Sequence, residues 1–366
     1  MAFFSIVLVT YNRLDILKST LNNIMSQSFS DFELLISNNG SSDGTKEYLD
    51  SISSPTVRVF HFEKNSRVRD IDKLVKLCKG NFIMPFLADD DTFASEAFST
   101  IAKILTADPE IDIISFNCIK YNYDSKIATC CEAEHSGDTI FIDSYKQFKR
   151  DISHWGIGDA YDYTAPKLIH PSCAFYKSEV IFNTFKKQQQ QLLIHPIIDV
   201  GLLGTLLHAK KNVHLNLPLA IVGQHQKQDS SDLFNRNNFL PFLSTIKISP
   251  LKGLSFANMS MESHLKMLKL NDIQYSWIRP RFYLYNIYSF LRCKPKDTKV
   301  FKDMAECIPG LCKSIIIYCL KEPHRPFVKI YKKITSRTQK KNFSTKTFNS
   351  ITECAKWIRC KYITKH

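Results

Sequence analysis

No apolar run in the 366-residue chain approaches the roughly 18 residues that a helix needs to cross a bilayer. The expectation is therefore a protein that is not integral to a membrane. The chain also lacks any Cys-x-x-Cys pair or cysteine set with matched histidine spacing. Its eleven cysteines read as buried thiols in a reducing cytosol rather than as a disulfide framework or zinc site. The segment Met1 to Val9 has neither the basic start nor the small-residue cleavage site of a signal peptide, and it reads as a first strand. Acidic residues are scarce in one region only. Residues 241–366 hold 7 Asp+Glu against 25 Lys+Arg, while residues 1–240 hold 28 against 24. The net charge of +14 thus sits in the last third, which points to two regions with different partners.

What is present is ordinary globular composition, 44% hydrophobic and 23% charged, in a pattern that alternates strand and helix. Residues 3–9 form a continuous β-branched, apolar run, the pattern of a strand buried on both faces. Thr10, Tyr11, Asn12 and Arg13 break it. Leu14, Ile16, Leu17, Leu21, Ile24 and Met25 then fall on one helical face. Phe32 to Ser37 reads as a second strand ending in the turn-rich Asn38 to Thr45, and Val57 to Phe62 as a third. A helix over Ile71 to Cys78 leads to Phe82–Ala88, an apolar strand that stops at Asp89, Asp90 and Asp91. This order implies a doubly wound α/β sheet, whose ligands bind at the carboxyl ends of the strands. Three consecutive carboxylates at such an end are tolerable either as a solvated turn or with a hard divalent cation between them.

Val9 to Arg13, Ser26 to Glu33, Ser37 to Thr45, and Lys79 to Ile83 leading into Asp89–Asp91 together resemble family 2 glycosyltransferases of the GT-A fold, over roughly residues 3–230. The resemblance implies a GT-A mixed sheet in residues 1–240 that binds a nucleotide-sugar donor. By position, Thr10, Tyr11, Asn12 and Arg13 would line the nucleotide pocket, Asn39 would lie near the base, and Asp89 would face the ribose. Asp90, with Asp91 and His225, would hold Mn²⁺ or Mg²⁺. Arg69 would neutralise the diphosphate, although a solvated basic turn suits it equally. Asp199, opening an apolar helix, would be the general base. Two departures stand out: Asn38 and Asn39 replace the acidic pair of many relatives, and Ala88 replaces the first aspartate of the metal motif. An amide donates and accepts where a carboxylate only accepts, which leaves the base open.

Residues 151–170 are rich in aromatic and polar groups, Trp155 and His170 among them. They suit an acceptor site in which rings stack on sugars, and equally a loop packed on the domain. Residues 241–366 read as a basic, mainly helical region for membrane docking or oligomerisation. In 311–366, basic residues flank an apolar stretch, as in an element lying on an anionic membrane surface. A solvated basic face is the alternative; nucleic acid is not expected, because no recognition module is visible.

The overall expectation is a metal-dependent, inverting transferase moving a sugar to a saccharide or lipid-linked glycan acceptor in bacterial polysaccharide biosynthesis. It would be cytoplasmic or peripheral on the inner face of the cell membrane, with a homo-oligomer left open. A non-catalytic nucleotide-sugar-binding or scaffold protein is one alternative. A nucleotidyltransferase is another, but it would want a Gly-rich, Lys-bearing loop after the first strand.

Overall fold

The computed structural model describes residues 2–64, 69–130, 136–148, 171–194, 198–225, 256–273 and 344–364. Strand β1 (Phe4–Thr10) leads through helix α1 (Leu14–Met25) to β2 (Phe32–Asn38), α2 (Thr45–Asp50), β3 (Val57–His61), α3 (Arg69–Val75) and β4 (Phe82–Ala88). These four strands lie in the order β3-β2-β1-β4, and each pair is parallel. The order reverses between β1 and β4, so a crevice opens at their carboxyl ends. Thr10 and the residue after Ala88 sit at that crevice.

The apolar runs of β1, β2 and β4 have no solvent face because both faces are covered. Phe4, Ile6 and Leu8 pack on one side with Leu17, Leu21 and Ile24, which recur at helical spacing along α1. Val7, Leu35 and Ile83 pack on the other with Ile71, Leu74 and Val75 of α3. Each fully buried Leu or Ile contributes roughly 1.5–3 kcal/mol.

Beyond β4 the sheet becomes mixed. The short β5 (Thr92–Phe93), helix α4 (Ala97–Ala107), β6 (Ile113–Asn122), β7 (Ile127–Cys130) and β8 (Thr139–Ile142) are followed by β9 (Ala174–Lys177), α5 (Ser178–Lys187), a 3-10 helix Ile198–Leu207 and β10 (Asn212–Gln224). Strand β9 pairs antiparallel with β4 and β6, and β10 runs parallel to β6 along its length.

The last third contributes four described elements: α6 (Phe256–Leu270), β11 (Ser344–Thr347), α7 (Ile351–Ile358) and a π-helical turn Arg359–Ile363. Strand β11 extends the sheet antiparallel to β7. Ile351, Cys354, Ala355 and Ile358 of α7 enter the same apolar cluster as β1 and α1. Ser350 caps α7, its side chain accepting the Glu353 N–H at 3.2 Å. Leu265, Met267 and Leu268 of α6 join the opposite cluster. Of the segment 311–366 expected to dock on a membrane, 311–343 lies outside the described residues, and 344–364 is built into the sheet and its helical cover. No helix among the described residues is long and apolar enough to cross a membrane.

Candidate active site at the β1–β4 crevice

The polar residues that follow β1 and β2 are clamped to one another. Asn12 takes a left-handed backbone (φ 53°), which its short amide side chain tolerates better than most. Its backbone N–H donates to Ser41 Oγ at 3.0 Å, and its Oδ1 accepts from the Ser42 N–H at 2.8 Å. Asp43 accepts from the Leu14 N–H at 3.0 Å and from Thr45 Oγ1 at 2.6 Å. The Asn39 N–H donates to the Thr10 carbonyl at 3.0 Å, while Ser37 Oγ donates to Asn39 Oδ1 at 2.7 Å. Gly40 turns the chain at φ 78°, where a Cβ would come within 2.9 Å of the Glu63 carbonyl oxygen. Tyr11 stands exposed on this edge.

The acidic turn is buried, and each aspartate meets a different environment. Asp89 accepts from Thr10 Oγ1 and Arg13 Nη1, both at 2.8 Å. Thr20 Oγ1 donates to the Asp89 carbonyl at 2.7 Å. Burial pushes the Asp89 carboxyl up to about 6; the Arg13 guanidinium pulls it down and the Asp90 charge pushes it up. Asp91 accepts from Ser172 Oγ at 2.5 Å and from the Gly223 N–H at 3.0 Å. Its carboxyl lies well above the usual range, first through burial and then through the Asp90 charge. Gly223 is required there, because a Cβ would strike the Asp90 carbonyl oxygen. Asp91 thus ties β10 to the turn, a structural occupation that the sequence did not disclose.

Asp90 lies between these two. Its Oδ2 is 3.2 Å from His225 Nε2, both side chains being buried, and Tyr123 OH donates to its carbonyl at 3.1 Å. Residues 90 and 225 therefore converge, as do Thr10, Arg13 and Asp89. Among the described residues no three His, Cys, Asp or Glu side chains are grouped to hold a metal by themselves. A carboxylate oxygen beside an imidazole nitrogen is nevertheless a donor set that suits Mn²⁺ when substrate phosphates complete the shell.

Asp199 is the second residue of the 3-10 helix Ile198–Leu207, and Arg69 is the first of α3. Their side chains, and the whole of Trp155 and His170, lie outside the described residues. Sequence reasoning missed Thr20, Tyr123, Ser172 and Gly223. A threonine one face along α1 from Arg13 carried a faint helical-spacing signal; the other three carried none.

A parallel β3-β2-β1-β4 sheet, a clamped loop after β2 and an acidic turn closing on the end of β1 define the GT-A class of nucleotide-sugar transferase folds. Residues 5–181 match the family model described as Glycosyl transferase family 2. A curated relative, the GalNAc(5)-diNAcBac-PP-undecaprenol beta-1,3-glucosyltransferase of Campylobacter jejuni, is 30% identical over 103 residues. That match takes in 27% of this chain and spans about a third of the relative's length (33%). Among solved structures, S. aureus TarS 1-349 in complex with UDP-GlcNAc is similar with a TM-score of 0.52 at 13% identity, over 87% of this chain and 80% of that one. At that identity the likeness concerns the fold.

Proposed function

We propose that the chain is a metal-dependent, inverting glycosyltransferase that moves a sugar from a nucleoside-diphosphate donor to a saccharide acceptor. The observation that carries this reading is the buried Thr10–Arg13–Asp89 cluster beside the Asp90–His225 pair, at the switch point of a family 2 domain. TarS bears UDP-GlcNAc in its solved form, which supports a nucleotide-sugar donor. The name of the Campylobacter relative describes an undecaprenol-linked glycan, which supports a lipid-linked acceptor in bacterial polysaccharide synthesis. A membrane surface engaged by basic residues of 311–343 is part of the same proposal, as is the division at about residue 240.

Each group has a task in this reading. Asp89, held by Thr10 and Arg13, accepts a ribose hydroxyl, and Asn39 lies near the base. Tyr11 and Asn12 shape the nucleotide pocket, and Arg69 faces the diphosphate. Asp90 and His225 would hold Mn²⁺ or Mg²⁺, with Asp91 fixing the turn that presents them. Held there, such an ion would supply positive charge to offset that developing on the leaving diphosphate. Asp199 takes the proton of the incoming hydroxyl, which is a poor nucleophile near neutral pH. Attack from the face opposite the diphosphate inverts the anomeric centre. Trp155 and His170 are assigned to the acceptor side.

The test is Asp199→Asn, assayed as sugar transfer and as release of nucleoside diphosphate from UDP- and GDP-sugars. Donor binding should persist while turnover falls by about 10² to 10⁴-fold, the usual contribution of a general base. Wild-type turnover in the variant would remove Asp199 from the mechanism.

A further inference from the structure

Asp72 lies on α3, outside every group described above, and reaches 120 residues along the chain. Its Oδ1 accepts the backbone N–H of Leu192 at 3.0 Å and of Leu193 at 3.3 Å. These two residues form a bend just ahead of the 3-10 helix Ile198–Leu207. Bend and helix are in backbone contact, for a Cβ placed on Gly201 would run into the Leu192 carbonyl oxygen. Gln188, the residue after α5, closes the far side. Its Nε2 donates to the carbonyls of Gln191 at 3.1 Å and Gly201 at 3.2 Å, and its Oε1 accepts from Asn271 Nδ2 at 3.0 Å. Asp199 stands two residues before Gly201 in that helix.

Leu192 and Leu193 are buried, so their N–H groups need an acceptor inside the protein. One that merely satisfied them could have come from the bend itself. It comes instead from α3, the helix whose Ile71, Leu74 and Val75 pack on Val7, Leu35 and Ile83 of the parallel strands. The carboxyl therefore joins α3 to the bend that packs against the helix carrying the proposed base.

We propose that Asp72 is a positioning residue: its side-chain oxygen locks the Leu192–Leu193 bend, against which Gly201 packs, to α3 and thereby fixes the helix that carries Asp199. This inference rests on the reading of Asp199 as the base. Asp72→Asn keeps an acceptor oxygen at the same place, Asp72→Glu displaces it by one methylene, and Asp72→Ala removes it. A reacting group misplaced by about 1 Å loses about 10²-fold in rate, and donor contacts made by β1 and β4 are unaffected.

The experiment measures turnover, donor KM and amide hydrogen exchange at Leu192 and Leu193 in the full-length chain, with UDP- and GDP-sugars as the probes. The Ala variant should lose about 10²-fold in kcat with unchanged donor KM and faster exchange at the two amides. The Asn variant should keep most of the wild-type kcat and the slow exchange. If the Ala variant does not fold, the Glu variant serves, with reduced kcat and unchanged KM expected. Wild-type kcat in the Ala or Glu variant, or equal losses in the Asn and Ala variants, would overturn the tether. Asp199→Asn run alongside separates the two claims. A fully active Asp199→Asn contradicts the base, and an inactive one beside a fully active Asp72→Ala contradicts the tether alone.

Discussion

At the scale of single residues, the acidic turn shows how identical side chains are given different work by their neighbours. Asp89 is buried against one guanidinium, so removing that partner leaves a charge in a poor solvent. Arg13→Ala should therefore cost about 3 kcal/mol or more near pH 7, read as a lower midpoint of thermal or urea unfolding. The Asp89 carboxyl already sits at about 6 rather than 3.8 and rises further without Arg13. Below that pH it takes a proton and no longer needs the guanidinium, so the defect of the variant should shrink as pH falls from 7 to 5. Asp72 offers a second pH test. Burial raises its carboxyl from 3.8 to about 6, against the pull of the Leu192 and Leu193 N–H groups. A raised carboxyl stabilises the fold fully below its ordinary value and loses that contribution as pH climbs through 6. Asp72→Asn should thus gain most over the wild type above pH 7 and least near pH 4 in paired melting curves.

Among elements, the parallel half of the sheet was legible because its strands are short, apolar and separated by helices with a clear apolar face. The lone helix face of Leu17, Leu21 and Ile24 and the apolar run Phe82 to Ala88 dictate burial by themselves. The mixed half was less legible, since β10 begins at Asn212, well ahead of the apolar stretch at Leu217, and its register against β6 shifts around Pro218. Strand β11 was invisible: Ser-Thr-Lys-Thr has no apolar alternation, and only pairing with β7 makes it a strand. In the site, the meeting of Thr10, Arg13 and Asp89 followed from their strand ends. The hold of Ser172 and Gly223 on Asp91 spans 81 and 132 residues, and nothing local announces it. The return of α7 to the core makes a concrete prediction. Ile358→Ala should destabilise the whole domain by about 2–5 kcal/mol, seen as one lowered unfolding transition. A separate low-temperature transition, with the main one unmoved, would show that α7 is an independent appendage.

For the whole molecule, the slightly acidic first two thirds and basic last third are the ground for proposing separate regions for donor binding and membrane docking. The proposed docking through basic residues of 311–343 can be tested by substitution. Replacing Lys321, Arg325, Lys329, Lys332 and Lys333 by glutamine should reduce sedimentation with anionic liposomes while leaving the unfolding midpoint in place. Vesicle binding equal to the wild type would reject docking through this segment. The proposed activity depends on the crevice, where a nucleoside diphosphate and a divalent ion are to be held together by Asp89, Asp90 and His225. A ligand that binds only the folded state raises its melting temperature by mass action. The most direct measurement is a thermal-shift series of UDP and GDP with Mn²⁺, with Mg²⁺ and with a chelator, on the wild type and on Asp90→Ala. A shift for one nucleotide that needs the ion and vanishes in Asp90→Ala is the predicted result. Equal shifts with ion and chelator, or an Asp90→Ala that responds like the wild type, would contradict the account.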